Sequence, residues 1–237
     1  MTNLEIQAGV AKIGKYATSE SGDTVEMVER PHGGVSLVVV DGQRSGRSAK
    51  IISNLVARKA LSLLAEGVRD GAVARATHDY LCTHRGGKVS AELNIISVDL
   101  TTQTLVISRN SRCPVLLCRG GQSEWLAEKC EAVGIHPNTK PAITEIPLTE
   151  GLCVTVFTDG ILSAGSRSSQ SMDVEAVVRA AQAKGSVSAQ GLADAILETA
   201  LQLDKGRAQD DCTVLVLMLV DNQRGDEIRR LAVSFPI

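Results

Sequence analysis

Aromatic residues are scarce: among 237 residues only Tyr16, Tyr80, Trp125, Phe157 and Phe235 carry an aromatic side chain. Five rings are too few for a base-stacking platform or an aromatic cage, and they leave Val, Leu, Ile and Ala to build the core. An excess of one charge is missing too, since 25 Lys plus Arg stand against 27 Asp plus Glu, a formal net charge of -2. With no sequence-independent pull toward phosphate backbones, nucleic acid is not an expected partner. No apolar run approaches the ~18 residues of a membrane span. The opening MTNLEIQAGVAK lacks a basic-then-apolar leader pattern, so the expected location is the cytoplasm, with no membrane partner. No Cys-x-x-Cys pair occurs, and His32, His78, His84 and His136 are scattered, which argues against zinc. The six cysteines are expected as free thiols, because a chain of this size in a reducing compartment needs no disulfide staples.

What the chain does have is segregated helix and strand signals. Val35–Val40 is a short β-branched run that reads as a buried strand. From Ser45 onward Ile52, Leu55, Val56, Ala60, Leu63 and Leu64 make one apolar stripe, and Val68 to Leu81 makes a second, closed by Arg85-Gly86-Gly87. Residues 88–100 alternate with a one-residue slip between Ile95 and Ile96, which predicts a β-bulge. Strands over 104–109, 114–118 and 152–158 with turn-type linkers predict an antiparallel meander. Two further amphipathic helices, around Val174–Ala181 and Leu192–Leu203, precede a last strand over Thr213–Val220. Residues 163–171 are the most polar stretch, and Glu124–Pro147 shows no period. Helices in pairs and strands in runs predict an α+β fold, antiparallel sheet under helices on both sides, as a single domain over 1–237.

Carboxylates recur at strand ends. Val38-Val-Val-Asp41-Gly42 and Phe157-Thr-Asp159-Gly160 end two strands alike, Asp210-Asp211 stands at the mouth of the last one, and Ser21-Gly22-Asp23 lies eighteen residues before Asp41. Each Asp-Gly alone reads as a turn, in which glycine supplies an unusual φ. Gathered at one sheet edge, these carboxylates would repel one another and need a cation, and an all-oxygen donor set selects magnesium or manganese. A carboxylate bridging two such ions suits phosphate-ester hydrolysis. Two decoys fail. Gly42-x3-Gly46-Arg47-Ser48 is one residue too short for a P-loop and lacks its lysine, and Cys113-x5-Arg119 encloses an apolar strand with no phosphate-cradling glycine.

Together SGDT (21–24), VVVDGQ (38–43), VFTDGI (156–161) and QDDCTVLVL (209–217) resemble the ordered motifs of the PPM-type metal-dependent protein serine/threonine phosphatases. The bacterial branch typified by stage II sporulation protein E and sigma-factor-regulating phosphatases is the most similar. The resemblance runs from about residue 8 to 220. It implies a four-layer α-β-β-α sandwich, two antiparallel sheets flanked by helix pairs. It implies two Mn²⁺ or Mg²⁺ ions: Asp41 bridges them, the Gly42 carbonyl and Asp23 complete one side, and Asp159 and Asp210 hold the other. Asp211 would support the ligands from behind. It further implies a phosphorylated protein as substrate, of the anti-sigma-antagonist or stressosome class, attacked by metal-bridged water, with Asp41 and Asp159 essential to catalysis. Three positions depart from the pattern. Gln43 stands where animal-type relatives have histidine, Arg44 where a glycine is common, and Arg112 replaces the glycine of an Asn-x-Gly-x-x-Pro segment, here Asn110-Ser-Arg-Cys-Pro114. Arg44 reads either as a contact to substrate phosphate or as a solvated loop residue. A catalytically weak or inactive pseudophosphatase that binds phosphoproteins is the alternative reading; the retained Asp23, Asp41, Asp159 and Asp210 argue against it.

Overall fold

A computed structural model describes residues 4–183, 185 and 187–236; positions 1–3, 184, 186 and 237 of the expected domain lie outside the described residues. In chain order the first half forms β1 (Leu4–Ile13), β2 (Thr24–Glu29), β3 (Gly34–Gly42), α1 (Gly46–Ala65), α2 (Asp70–Arg85), β4 (Ala91–Asp99) and β5 (Thr104–Asn110). The second half forms β6 (Val115–Arg119), β7 (Gln122–Leu126), β8 (Ala142–Pro147), β9 (Cys153–Phe157), α3 (Asp159–Ser163), α4 (Val174–Ala183), α5 (Ala189–Leu203) and β10 (Cys212–Asp221). One sheet runs β1-β10-β9-β6-β7 and the other β2-β3-β4-β5-β8, with every described pairing antiparallel. Helices α1 and α2 cover the second sheet and α4 and α5 the first, so the architecture is the expected α-β-β-α sandwich.

Three apolar layers explain the sequence pattern. In β3, Leu37 and Val39 face the other sheet while Val38 and Val40 face α1 and α2, which is why the run 35–40 has no polar alternation. The same holds in β10, where Leu215, Leu217 and Leu219 fill the space between sheets and Val214 and Val216 lie under α5. The expected β-bulge near Ile95 does not form: β4 keeps one continuous register with β3 from Gly34↔Asp99 to Gly42↔Ala91. Leu93 and Ile95 face the helices, Ile96 and Val98 the facing sheet. Two adjacent isoleucines thus mark a strand buried on both faces, not a slip.

The expected meander is also redistributed. β5 pairs with β4 and β8, whereas β6 pairs with β7 and β9, so the chain changes sheets at Asn110–Pro114. The aperiodic stretch 124–147 contains β8 and the end of β7, edge segments in which Ile146 is the one buried residue, so they carry no apolar signature. Within 163–171 lies a 3-10 turn at Ser166–Ser168. The α1 stripe is as expected, with Ile52, Val56, Ala60 and Leu64 buried one turn apart, and α2 ends at Gly86 in the left-handed conformation, φ 60°. Among the described residues no helix is long and apolar enough to cross a membrane, and all six cysteines are free thiols.

Candidate active site

Antiparallel pairing brings the four acidic segments together. The start of β2 lies beside the end of β3 (Thr24↔Val40), and the end of β9 beside the start of β10 (Phe157↔Val214). Each sheet therefore delivers two acidic strand ends to one edge of the sandwich.

Asp23 ties the sheets together there. It is fully buried; its Oδ2 accepts hydrogen bonds from Thr158 Oγ1 at 3.0 Å and Thr213 Oγ1 at 2.6 Å. Its Oδ1 is buried with no hydrogen-bond partner among the described residues. Burial above all, together with neighbouring Asp211, pushes its carboxyl up to about 7, against the pull of the two threonines and Lys12. Lys12 and Lys50 Nζ donate to the Asp23 main-chain carbonyl at 2.5 and 2.6 Å. Burial first, then Lys50, lowers Lys12 to about 8.

Asp41 lies opposite Glu92 in the β3–β4 register. Burial pushes its carboxyl up to about 9, reinforced in turn by Asp23, Asp159, Glu92 and Asp210. Asp159 is raised as well, by burial and then by Asp210 and Glu92, with Arg112 opposing. Asp210 is 41% exposed, its Oδ1 3.9 Å from Lys15 Nζ. Asp211 is different: its Oδ1 and Oδ2 accept from the main-chain N–H of Lys15 and Gly22 at 2.9 and 2.8 Å, pinning the β1–β2 connection that carries Asp23.

The glycines of the two Asp-Gly pairs are not turn residues. Neither Gly42 nor Gly160 has positive φ. Instead, a Cβ on Gly42 would stand 2.1 Å from the Ala49 carbonyl oxygen, and one on Gly160 2.2 Å from that of Asp211. Close backbone approach, which sets the spacing of the acidic segments, is what demands glycine. Gly160→Ala is expected to lower unfolding stability by about 1–3 kcal/mol, read from urea denaturation; wild-type stability would show that the backbone can yield.

Arg44 sits in the left-handed region at φ 76°, a position that favours glycine. It lines, with Arg85, Lys88, Ile51 and Ile52, a groove of ≈ 400 Å³ beside α1. The structure therefore groups Arg44 with that basic groove, while Asp23, Asp41, Asp159 and Asp210 share one electrostatic cluster. Sequence reasoning missed Glu92, Lys12 and Lys50. Glu92 could have been found as the carboxylate at the start of the mostly apolar strand over residues 91–98; the lysines lie in ordinary polar slots and give no signal. Among the described residues no group of three or more acidic, histidine or cysteine side chains is arranged, as it stands, to hold a metal ion. The donor chemistry nonetheless fits a hard divalent cation: oxygen ligands only, mutual repulsion, and a buried Asp23 oxygen without a partner.

The geometry agrees with what the chain is similar to. Residues 31–220 match the family model of stage II sporulation protein E, and the chain belongs to that family. Stage II sporulation protein E of Bacillus subtilis (strain 168) is 21% identical over 220 residues, 93% of this chain and 26% of that protein; the Priestia megaterium counterpart is 20% identical over 92% of this chain and 37% of that protein. The chain thus spans well under half the length of these relatives. Among solved structures, the PP2C phosphatase domain with a regulatory fragment of SpoIIE from Bacillus subtilis superposes with a TM-score of 0.79 at 20% identity, covering 94% of this chain and 65% of that one. The catalytic domain of the serine/threonine protein phosphatase PstP, in complex with two manganese ions, gives 0.70 at 18% identity, covering 92% and 100%. The fold is that of the PP2C phosphatase domains.

Proposed function

We propose that residues 1–237 form one metal-dependent phosphoprotein phosphatase domain, acting in the cytoplasm on phosphoserine or phosphothreonine. The observation that carries this reading is the Asp41 cluster: four carboxylates at the ends of four strands, among which Asp41 is raised by burial and then by the charges of Asp23, Asp159, Glu92 and Asp210. Two Mn²⁺ or Mg²⁺ ions would be held by Asp41 between them, by the Gly42 carbonyl and Asp23 on one side, and by Asp159 and Asp210 on the other. When bound, such ions supply Lewis-acid polarisation of the ester and a water acidic enough to attack it. The protein's own part is to keep the carboxylates in place. Thr158 and Thr213 orient Asp23, Asp211 clamps the loop before it, and the glycine contacts set the strand spacing.

Membership of the sporulation-protein family supports a small phosphorylated regulatory protein, of the anti-sigma-antagonist or stressosome class, as substrate. The open basic groove of Arg44, Arg85 and Lys88 suits a protein surface better than a small metabolite. A phosphoprotein-binding module without turnover is the second reading, favoured by Arg112 at the family's glycine position. One assay separates them. Phosphate release from p-nitrophenyl phosphate and from a phosphoserine protein is expected with Mn²⁺ in excess and not with chelator; no release from a folded, Mn²⁺-saturated sample overturns the enzyme reading.

A further inference from the structure

We propose that Arg112 receives the substrate phosphate and that Glu92 positions it. This deepens the phosphatase reading and rests on it. The pair is built from opposite burial: Glu92 is 11% exposed and Arg112 82% exposed in their side chains. Arg112 Nε donates to Glu92 Oε1 at 2.9 Å, and Ser111 Oγ donates to Oε2 at 2.6 Å. The backbone beneath is fixed in turn. Cys113 N–H donates to Ser111 Oγ at 3.1 Å, and the Asn110 side chain donates to the carbonyls of Glu131 and Lys140. One edge of the guanidinium is thus anchored, and its outer nitrogens have no hydrogen-bond partner among the described residues.

As an ion pair alone this arrangement contributes little, because so exposed a cation is screened by water. Its position gives it a different use. Glu92 faces Asp41 across β3–β4, and Arg112 lies within the field of Asp159, so the guanidinium stands at the rim of the carboxylate cluster. A fixed cation at that rim attracts a phosphate dianion bound at the cluster. The planar fork of arginine matches two phosphate oxygens, and an arginine already held through Nε loses less rotamer freedom on binding. Arg44, Arg85 and Lys88 lie in the groove beside α1 instead and belong to the docking of the protein around the phosphate.

The test uses Mn²⁺-loaded protein, inorganic phosphate as probe by calorimetry, and a phosphoserine peptide for kinetics. Arg112→Gly is expected to weaken phosphate binding about tenfold or more and to raise KM for the peptide similarly, with a smaller change in kcat. Arg112→Lys keeps the charge but not the fork and should recover only part of the affinity. Glu92→Gln should fall between, and should shift the Arg112 Nε–Hε resonance in the nuclear magnetic resonance spectrum, which a purely structural role for Arg112 would leave unlinked to phosphate. Addition of phosphate should move that same resonance in the wild-type protein. Unchanged phosphate affinity in Arg112→Gly with unchanged melting, or tighter binding and faster turnover once the side chain is removed, overturns the proposal. If the wild type proves inactive, loss of phosphate binding in Arg112→Gly still upholds the Arg112 assignment while the phosphatase reading falls.

Discussion

Asp41→Asn is expected to cut metal-dependent turnover by about a thousandfold or more, the equivalent of ~4 kcal/mol of transition-state stabilisation, while the protein remains folded. The charges of Asp23, Asp159, Glu92 and Asp210 all act on its carboxyl, which places the side chain within the cluster. Replacing it with the isosteric amide removes the group best placed to be shared by two cations. It also removes the cost of keeping that buried carboxyl protonated in the metal-free protein. Hence the melting temperature without metal should be equal to or above that of the wild type near pH 8, and calorimetric Mn²⁺ binding should be weakened or lost. Retained turnover together with unchanged Mn²⁺ binding would refute the bridging role proposed for Asp41. A collapse in metal-free stability would instead make Asp41 a structural residue.

The second large effect concerns pH. Asp41 and Asp23 are pushed up to about 9 and about 7, and burial is the largest cause for both. Between the ordinary carboxylate range and those values the folded protein holds protons that the unfolded chain has released. Its stability is then fully present below the unfolded-state value and is lost as pH rises through the folded one. The metal-free protein is therefore expected to melt at progressively lower temperature from pH 5 to pH 8, and Asp159, raised in the same sense, adds to the slope. Lys12, lowered to about 8, acts oppositely only above that value, where the neutral amine of the folded state is favoured. Saturating Mn²⁺ should flatten or reverse the slope, because a ligand that binds only the folded protein stabilises it, and it binds ionised carboxylates. Melting curves across this range, with and without Mn²⁺, and for Asp41→Asn, check the sign. A metal-free melting temperature that climbs from pH 5 to pH 8 would show that the carboxylates are not mutually repelling.

Much of this was legible in the residues because local patterns survive folding. The apolar stripe of α1, the unbroken run of β3 and the acidic residues at strand ends report burial and termination directly, and the four motifs in order pointed to the family. The errors share one cause. Alternation tells which residues share a face but not how many faces are covered, so Ile95-Ile96 read as a slip when both sides of β4 are buried. Linker length tells that strands are antiparallel but not which sheet they join, so the change of sheet after Asn110 was invisible. Edge strand β7 is almost wholly exposed, and β8 buries Ile146 alone, so neither leaves an apolar alternation in the sequence.

By itself the sequence determined the fold class, the helix pairs and the identity of the acidic strand ends, since these follow from periodicity, breakers and residue chemistry along the chain. Only the tertiary structure decided that two sheets deliver those ends to one place, that Asp211 is spent on main-chain N–H groups while Asp210 stays half exposed, and that Gly42 and Gly160 serve close approach rather than turning. It alone set Glu92 opposite Asp41 and leaned Arg112 on it. The physical reason is that, apart from the approach of Gly42 to Ala49, these are relations between residues about twenty to nearly two hundred positions apart. Strand register and sheet stacking set them, and no local pattern encodes either.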